Sequence, residues 1–327
     1  MGVACFMKIR YLYFMTNTHD LIVLGSGAAG CTAAIYAARA GLNPTMIRGN
    51  QPGGQLTITT DVENYPGFAE PIQGPWLMEQ MEAQAKHCGA EILTDHIVRA
   101  ELKEGDNLLV GQTGTEYRCK ALIIATGASA KWLGIPSEQT FNGKGVSACA
   151  TCDGAFYKNR DVMIVGGGNS AMEEALYLAG MCKSVTMVHR RDDFRGEMVL
   201  RDRVKNHEKI QIIWNHAVDE ILGDPHPITG GVTGVRLKNT VDGSTTEMPI
   251  HGVFIAIGHK PNTDIFKGQL DMDETGYLLP VGTVATKIKG VFVAGDVADS
   301  VYRQAVTAAG MGCMAALDVN RWLETVG

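Results

Sequence analysis

The sequence contains one pattern twice: a short apolar run, a glycine-rich turn and a stretch of small, helix-forming residues. The first copy reads LIVLGSGAAG at residues 21–30, and the second reads VMIVGGGNSA at residues 162–171. Each copy predicts a strand that passes through a tight turn into a helix, the first helix running to about Ala40 and the second to about Ala179. One such turn is weak evidence of function, but two favour a protein that binds two dinucleotides.

The glycines of such a turn have separate physical roles. The first makes the turn, the second lets the backbone approach a pyrophosphate, and the third lets the helix pack closely on the strand. The pyrophosphate then meets unpaired N–H groups at the start of the helix. We therefore predict two dinucleotide-binding turns, comprising Gly25, Ser26, Gly27, Ala28, Ala29 and Gly30 in the first copy and Gly166, Gly168, Asn169, Ser170 and Ala171 in the second.

Length and composition limit the class of protein. The chain has 327 residues, 45% of them hydrophobic, and a formal net charge of −6. This length predicts about two domains, and the mild acidity argues against nucleic acid as a partner. No apolar run approaches the roughly 20 residues of a membrane span. The two turns begin 166 − 25 = 141 residues apart, about one domain.

Two apolar runs that end in glycine flank the second copy of the pattern. They read ALIIATG at residues 121–127 and VFIAIG at residues 253–258, and we interpret them as crossings between two domains. The predicted fold class is α/β, with two Rossmann-like domains and the second inserted into the first. Residues 1–128 and 259–327 would form the first domain, and residues 129–258 the second.

The residues after the second strand of each domain indicate which nucleotide binds there. In the second domain the strand Ser184–Val188 is followed by HRRDDFR, and three guanidiniums within six residues suit the 2′-phosphate of NADPH. These guanidiniums belong to Arg190, Arg191 and Arg195. Together with His189 they are the predicted NADPH-binding residues of this segment.

In the first domain the strand Pro44–Ile47 is followed by Arg48 and lacks the acid of an NAD site, so we do not predict NAD there. A flavin is the alternative, because a second glycine-rich stretch follows at residues 51–55. A later strand over residues 290–294 ends at Gly295 and Asp296, and a helix begins near Arg303, Gln304 and Ala305, where its N-terminus would face an anionic group.

Cys149 and Cys152 form the only Cys-x-x-Cys motif among eight cysteines. Such a loop cycles between dithiol and disulfide, and Asp153 beside it can exchange a proton with the departing thiol. The alternatives are a zinc site, a structural disulfide and two incidental thiols. A zinc site would require further ligands at suitable spacing. We predict a redox-active pair and no metal. Six single cysteines are typical of a reducing compartment, so we predict a cytoplasmic location.

From Asp20 onward the chain resembles the low-molecular-weight, bacterial-type thioredoxin reductases. The resemblance rests on the two turns and on GGQL at 53–56, ATG at 125–127, CATCD at 149–153, HRRDDFR at 189–195, GDV at 295–297 and RQA at 303–305. It implies FAD in the first domain, NADPH in the second, thioredoxin as the partner and a homodimer. The resemblance also implies further cofactor-binding residues, namely Gly53, Gly54, Gln55, Leu56, Asn64, Thr126, Gly127 and Ile257.

The resemblance implies a relay from NADPH through FAD to the cysteine pair and then to thioredoxin. It also implies a rotation between the two domains, with Gly127 and Gly258 as the hinges. We interpret Cys152 as the cysteine that faces the flavin, because Asp153 adjoins it. The chain departs from the family at Ala28, Lys144 and Ala155, and the last two leave partner preference open. The alternatives are a flavoenzyme that reduces a peroxiredoxin-type protein or a ferredoxin, a dithiol oxidase, and a non-catalytic nucleotide sensor.

The first 15 residues, MGVACFMKIRYLYFM, contain two basic residues and lack a cleavage site, so a signal peptide is not predicted. We expect an N-terminal extension, with Met15 as an alternative start.

Overall fold

The computed structural model describes residues 17–58, 61–226 and 229–326, so the expected extension lies outside the described residues. These residues cluster into two compact units. The first contains residues 17–54, Glu79–Gly127 and 262–326, and the second contains Gln55–Met78 and Ala128–Pro261. Both units contain parallel sheets with helices, which confirms the predicted α/β class.

The described residues form 19 β-strands and seven α-helices. The strands are β1 Asn17–Leu24, β2 Pro44–Arg48, β3 Asp61–Val62, β4 Ile72–Gln73, β5 Glu91–Thr94, β6 Ile97–Glu101, β7 Asn107–Gly111, β8 Glu116–Ile124, β9 Ala128–Ala130, β10 Val146–Ser147, β11 Asp161–Val165, β12 Ser184–His189, β13 Ile210–Trp214, β14 His216–Asp224, β15 Gly231–Asn239, β16 Thr245–Pro249, β17 Gly252–Ile255, β18 His259–Pro261 and β19 Val291–Val293. The α-helices are α1 Ala28–Arg39, α2 Gly74–Cys88, α3 Pro136–Thr140, α4 Ala150–Asp153, α5 Asn169–Ala179, α6 Met198–Lys205 and α7 Ala305–Val326.

The first unit is built on a seven-stranded sheet in the order β5-β2-β1-β8-β7-β6, with β19 also paired to β8. Strands β5, β2, β1, β8 and β19 are parallel, and Leu24 aligns with Ile47 and Ile124. These residues are buried because the sheet is apolar on both faces. The carboxyl ends of the parallel strands therefore share one edge, where ligands bind in such folds.

Small residues bring helix α7 against helix α1 in this unit. A Cβ atom built on Gly312 would lie 2.1 Å from the carbonyl oxygen of Ala29, so no larger residue fits there. The C-terminal helix thus supports the start of α1, which carries the first glycine turn.

The second unit contains a five-stranded parallel sheet in the order β10-β17-β11-β12-β13. Val165 aligns with Val188 and Ile255, so the second glycine turn also follows a central strand at the carboxyl edge. This unit also contains a three-stranded antiparallel sheet, β14-β15-β16, and two short strand pairs, β9–β18 and β3–β4. The antiparallel strands were not predicted, whereas the strands and helices at both turns are confirmed.

None of the described helices is both long enough and apolar enough to cross a membrane.

Candidate active site

The first glycine turn is confined by backbone on both sides. Gly25 has φ +115°, and a Cβ atom there would lie 2.2 Å from the carbonyl oxygen of Ala125. A Cβ on Gly30 would lie 2.0 Å from the carbonyl oxygen of Gly25. By contrast, a Cβ on Gly27 would have only the Gly53 carbonyl oxygen near it, at 4.0 Å. The first and third glycines are required by the fold, and Gly27 leaves room for an approaching ligand.

The glycine-rich stretch at residues 53–54 folds back on this turn. The backbone N–H of Gly53 donates to the Ser26 hydroxyl oxygen at 3.0 Å. Gly53 and Gly54 have φ values of +84° and +66°, which non-glycine residues adopt at a cost. Ala28 and Ala29 are buried at the start of α1. The two glycine-rich segments therefore form one surface at the start of α1.

Asp296 lies at the same sheet edge, three residues after β19. Its Oδ1 atom is buried and has no hydrogen-bond partner among the described residues. Burial, reinforced by the charge of Asp299 and opposed by Arg303, raises the pKa of Asp296 to about 6. A buried acceptor without a partner is costly, so this atom points to a hydroxyl donor on a ligand.

The loop that leads into α7 is held by one carboxylate. Asp299 accepts hydrogen bonds from the backbone N–H groups of Val301, Tyr302 and Arg303. Arg303 has φ +49°, and the Gln304 N–H meets the Thr307 hydroxyl oxygen at 3.3 Å, one residue before the helix begins at Ala305. The predicted segment 303–305 is thus the N-terminus of α7.

The first crossing is fixed by Asn262, a residue that sequence reasoning missed. The Thr126 hydroxyl donates to the Asn262 carbonyl oxygen at 2.8 Å, and the Asn262 side-chain amide donates to the Thr126 carbonyl oxygen at 2.8 Å. Gly127 follows with φ +67°.

Three further predicted residues, Gln55, Leu56 and Asn64, belong to the second unit. Gln55 and Leu56 belong to a 3-10 helix over Gly54–Ile58 and group with the second unit. Asn64 lies in an exposed loop of that unit.

The second glycine turn repeats the geometry of the first. A Cβ on Gly166 would lie 2.3 Å from the Ala256 carbonyl oxygen and 2.7 Å from the Ala171 Cβ, so Ala171 fits only because Gly166 has no side chain. A Cβ on Gly168 would have no neighbour within 4 Å. Helix α5 begins at Asn169 and Ser170 directly after it. Ile257, beyond the end of β17, is 38% exposed.

His189 ends strand β12 next to this turn. A Cβ on Gly167 would lie 2.4 Å from the His189 ring, and the ring also lies against Phe194 and Trp214. Burial lowers the pKa of His189, and although a hydrogen bond to the Asp193 backbone opposes this, the nearby arginines lower it further. Its Nε2 atom is buried without a partner among the described residues.

The basic loop after His189 exposes three arginines. Arg190, Arg191 and Arg195 are exposed, and their guanidinium groups form no ion pair with any residue that the structure describes. The backbone N–H of Arg195 donates to the Gly167 carbonyl oxygen at 2.9 Å. The arginines are therefore placed beside the glycine turn with their charges uncommitted, as a phosphate site requires.

Cys149 and Cys152 are joined by a disulfide, as the motif predicts. Cys149 caps the N-terminus of α4, and its Sγ accepts from the Cys152 backbone N–H at 3.2 Å. A disulfide sulfur carries no proton, so the Thr151 hydroxyl, 3.3 Å from the same Sγ, is the donor. The Cys149 N–H in turn donates to the Ser147 hydroxyl oxygen at 3.0 Å. Ser147 and Thr151 were not predicted.

Asp153 ends the short helix α4, and its backbone N–H donates to the Cys149 carbonyl oxygen at 3.1 Å. Burial, together with the charge of Asp153, raises the pKa of Tyr157 to about 12, and Arg160 opposes the effect. The Asp153 carboxylate therefore acts electrostatically on Tyr157, four residues further along the chain. No cluster of three metal-ligating side chains occurs among residues 17–58, 61–226 and 229–326.

Comparison with known proteins agrees with this geometry. Residues 19–312 match the pyridine nucleotide-disulphide oxidoreductase family. The thioredoxin reductase of Rickettsia conorii is 56% identical over 95% of this chain and all of the relative. A protein named glucosaminate ammonia-lyase from Pseudomonas fluorescens is 54% identical, over 93% of this chain and 95% of its own.

Solved structures give the same result. The crystal structure of thioredoxin reductase from Streptococcus pyogenes superposes with a TM-score of 0.89 at 38% identity, covering 95% of this chain and 99% of its own. Both the sequence match and the fold match extend over nearly the whole chain. The chain therefore belongs to the pyridine nucleotide-disulphide oxidoreductase family, within its low-molecular-weight thioredoxin reductases.

Proposed function

We propose that this enzyme transfers two electrons from NADPH, through FAD and the Cys149–Cys152 disulfide, to the disulfide of a thioredoxin. The observation that carries the proposal is the Cys149–Cys152 disulfide at the start of α4, in a chain that also contains two dinucleotide-type turns. The relatives named thioredoxin reductase at more than 50% identity support the choice of partner.

The residues at the carboxyl edge of the first sheet fit a flavin dinucleotide. Gly27 leaves open space at the start of α1, where backbone N–H groups favour a pyrophosphate, and the unpartnered Oδ1 of Asp296 can accept from a hydroxyl. Gly53, Gly54 and the start of α7 would complete the site. When bound, FAD supplies a two-electron carrier between a nicotinamide and a disulfide.

In the second unit, the turn at Gly166 and Gly168 would bind the pyrophosphate of NADPH. Arg190, Arg191 and Arg195 would bind its 2′-phosphate, because guanidiniums bind phosphate oxygens through charge-assisted hydrogen bonds. His189 would lie beside the ribose.

The chemistry at the cysteine pair is a balanced exchange. Two electrons and two protons convert the Cys149–Cys152 disulfide into two thiols while NADPH becomes NADP⁺. One thiolate then attacks a sulfur of the partner's disulfide, a mixed disulfide forms, and the partner's second sulfur leaves as a thiolate. The other enzyme cysteine attacks the mixed disulfide, which restores Cys149–Cys152 and releases the reduced partner.

The contacts of the pair favour Cys149 as the attacking residue. Its Sγ receives the Cys152 N–H and the Thr151 hydroxyl, and both donors stabilise a thiolate. Asp153 would transfer the proton of the other thiol, which agrees with Cys152 as the cysteine that faces the flavin.

The proposal includes motion about two glycines. Gly127 and Gly258 have φ values of +67° and +100°, and a Cβ on Gly127 would meet nothing within 4 Å. We infer that both act as hinges between two rotating domains, residues 1–128 with 259–327 and residues 129–258. An engineered cross-link between the domains should permit only one half-reaction, so unchanged turnover would exclude the motion.

The proposal also includes a homodimer. Val306, Met314 and Leu317 are exposed apolar residues on α7, and Tyr36 is exposed on α1. Their burial against a second copy would remove apolar surface from water. Light scattering should give twice the monomer mass, and Leu317→Glu should shift it toward the monomer.

A cytoplasmic location is the last part of the proposal. Five described cysteines, among them the half-buried Cys88 and Cys313, carry free thiols. Such thiols persist in a reducing compartment. Cell fractionation should recover the protein with the cytoplasm.

The test is NADPH-dependent reduction of thioredoxin by the purified flavin-loaded protein, followed with DTNB, a disulfide that the thiols of reduced thioredoxin cleave. Activity should require NADPH, thioredoxin and Cys149, so Cys149→Ser should abolish it and Cys88→Ser should not. If NADPH reduces the flavin but thioredoxin does not reoxidise it, the partner is wrong. Ammonia release from glucosaminate, measured in parallel, should be absent.

A further inference from the structure

The basic loop after β12 carries acids as well as arginines. Asp192 and Asp193 stand between Arg191 and Arg195. A carboxylate so close to guanidiniums competes with a phosphate for them, because it offers the same charge and the same pair of acceptor oxygens. Asp193 nevertheless pairs with no arginine of the loop. What holds this acid decides whether the arginines stay free.

Arg201 on helix α6 holds Asp193. Its Nη1 lies 2.8 Å from Asp193 Oδ2, and its Nε donates to the carbonyl oxygen of Gly196 at 2.6 Å. The Arg201 side chain is 27% exposed, against 57% for that of Asp193. Lys205 adds a more distant cation, 3.7 Å from Asp193 Oδ1. One guanidinium therefore fixes the carboxylate and the backbone three residues further on.

The electrostatics of Asp193 agree with these contacts. Desolvation opposes its ionisation, but the Phe194 backbone N–H and the charges of Arg201 and Lys205 outweigh it and lower the pKa of Asp193. The carboxylate is therefore ionised at neutral pH and would attract the loop arginines if it were released.

The far end of the loop is fastened to the glycine turn. The Glu197 N–H donates to Asn169 Oδ1 at 2.8 Å, and the Asn169 side-chain amide donates to Glu197 Oε1 at 3.2 Å. A Cβ on Gly196 would lie 2.4 Å from Asn169 Oδ1, so the contact is close. Because Glu197 is fixed in this way, the pairing of Arg201 with Asp193 restrains the residues between Asp193 and Glu197.

We propose that Arg201 is a positioning residue for NADPH specificity, which it provides by pairing with the Asp193 carboxylate so that Arg190, Arg191 and Arg195 remain free for the 2′-phosphate. This inference rests on the proposed NADPH site, and it adds to that site a residue that does not contact the nucleotide.

The experiment measures kcat and KM for NADPH and NADH in thioredoxin reduction by the full-length, flavin-loaded enzyme. Arg201→Met should raise the KM for NADPH about two- to fivefold, as loss of one partly exposed ion pair predicts, and leave kcat and the KM for NADH unchanged. Asp193→Asn in the same protein should restore the KM for NADPH. Arg203→Met is the matched control, because it removes one charge from an exposed position of the same helix, and it should have no effect.

Two results would overturn the inference. One is an unchanged KM for NADPH in Arg201→Met; the other is an increase that Asp193→Asn does not reverse, which would mean that Arg201 binds the phosphate itself or only shapes the loop. If Arg201→Met does not fold, Arg201→Gln replaces it with the same expected results, since glutamine keeps a donor for the Gly196 carbonyl oxygen but loses the charge that pairs with Asp193. A wild-type enzyme without preference for NADPH would instead refute the proposed NADPH site.

Discussion

The sulfur of Cys149 accepts a hydrogen bond from the backbone N–H of Cys152, 3.2 Å away, within the loop that their own disulfide closes. The donor is part of helix α4, so we expect it to remain beside Cys149 when the disulfide is reduced. The two thiols of the reduced enzyme are therefore inequivalent, since a positioned donor stabilises a thiolate at Cys149.

This inequivalence can be measured in single variants. In Cys152→Ser the remaining Cys149 keeps its donors, whereas in Cys149→Ser the remaining Cys152 gains none of them. We expect iodoacetamide at pH 7 to alkylate Cys149 about three- to tenfold faster than Cys152. One hydrogen bond to a charged group would give about tenfold or more, but a stabilised thiolate is also a weaker nucleophile, which reduces the difference. Mass spectrometry of the modified peptide gives both rates. Equal rates, or a faster Cys152, would reverse the assignment of the attacking cysteine.

Asp296 gives a prediction of pH dependence. Its pKa is raised from 3.8 to about 6 in the folded protein, mainly by burial. Asp296 therefore makes no unfavourable contribution to the free energy of unfolding below about pH 4, where it is protonated in both the folded and the unfolded protein. As the pH rises through 6, its ionisation lowers the free energy of unfolding by about 2–3 kcal/mol. In the flavin-free protein, Asp296→Asn should remove this loss and raise the melting temperature at pH 7.5.

The same substitution should weaken flavin binding, because an amide is a poorer acceptor than a carboxylate. The ratio of flavin to protein absorbance after dialysis measures retention, and melting curves at pH 4.5 and 7.5 measure stability. Glu274→Gln is the control, because it removes an exposed carboxylate from the same unit and leaves Asp296 and the loop before α7 unchanged. If Asp296→Asn melts at the same temperature as wild type at pH 7.5, burial does not strain this carboxylate.

Local sequence patterns predicted the parts of this fold that depend on local geometry. Gly25 and Gly166 could be recognised because only glycine fits where a Cβ would meet a carbonyl oxygen at 2.2 or 2.3 Å. The parallel strands beside them are short apolar runs, which are typical of strands buried on both faces.

Features that depend on distant or irregular pairing were missed. The β14–β15 pair has register shifts between Val218 and Glu220 and between Leu222 and Gly223, and these interrupt the alternation that would have indicated its strands. Asn262 contacts Thr126 across 136 positions of sequence. Arg201 is one of several charged residues on a surface helix, and only its contacts set it apart.

Arg191 provides a direct test of the phosphate site. Its guanidinium is exposed and forms no ion pair in the described part of the chain. Arg191→Gln should raise the KM for NADPH about tenfold or more, since a hydrogen bond to a charged group is lost, and should leave the KM for NADH unchanged. The wild-type KM for NADPH should also rise with ionic strength, and that slope should fall in the variant. Equal increases for both nucleotides would place Arg191 outside the 2′-phosphate site.

Two glycines in one turn separate folding from nucleotide binding. A Cβ on Gly166 would lie 2.3 Å from the Ala256 carbonyl oxygen, whereas Gly168 has φ −98° and no neighbour within 4 Å. Gly166→Ala should therefore destabilise the protein by about 2–3 kcal/mol through overpacking. Gly168→Ala should change the free energy of unfolding by less than about 1 kcal/mol.

Nucleotide binding should show the opposite pattern, because Gly168→Ala, the more stable of the two variants, should be the one that impairs it. The methyl group of Gly168→Ala fills the space through which the pyrophosphate would approach the backbone, so the KM for NADPH should rise at least about tenfold in a normally folded protein. Urea unfolding gives the stability, and steady-state kinetics at a temperature where both variants are folded give the KM. Because NADH shares the pyrophosphate, its KM should rise in parallel, unlike the result for Arg191→Gln. A Gly168→Ala enzyme with wild-type KM values would show that the nucleotide does not approach this turn.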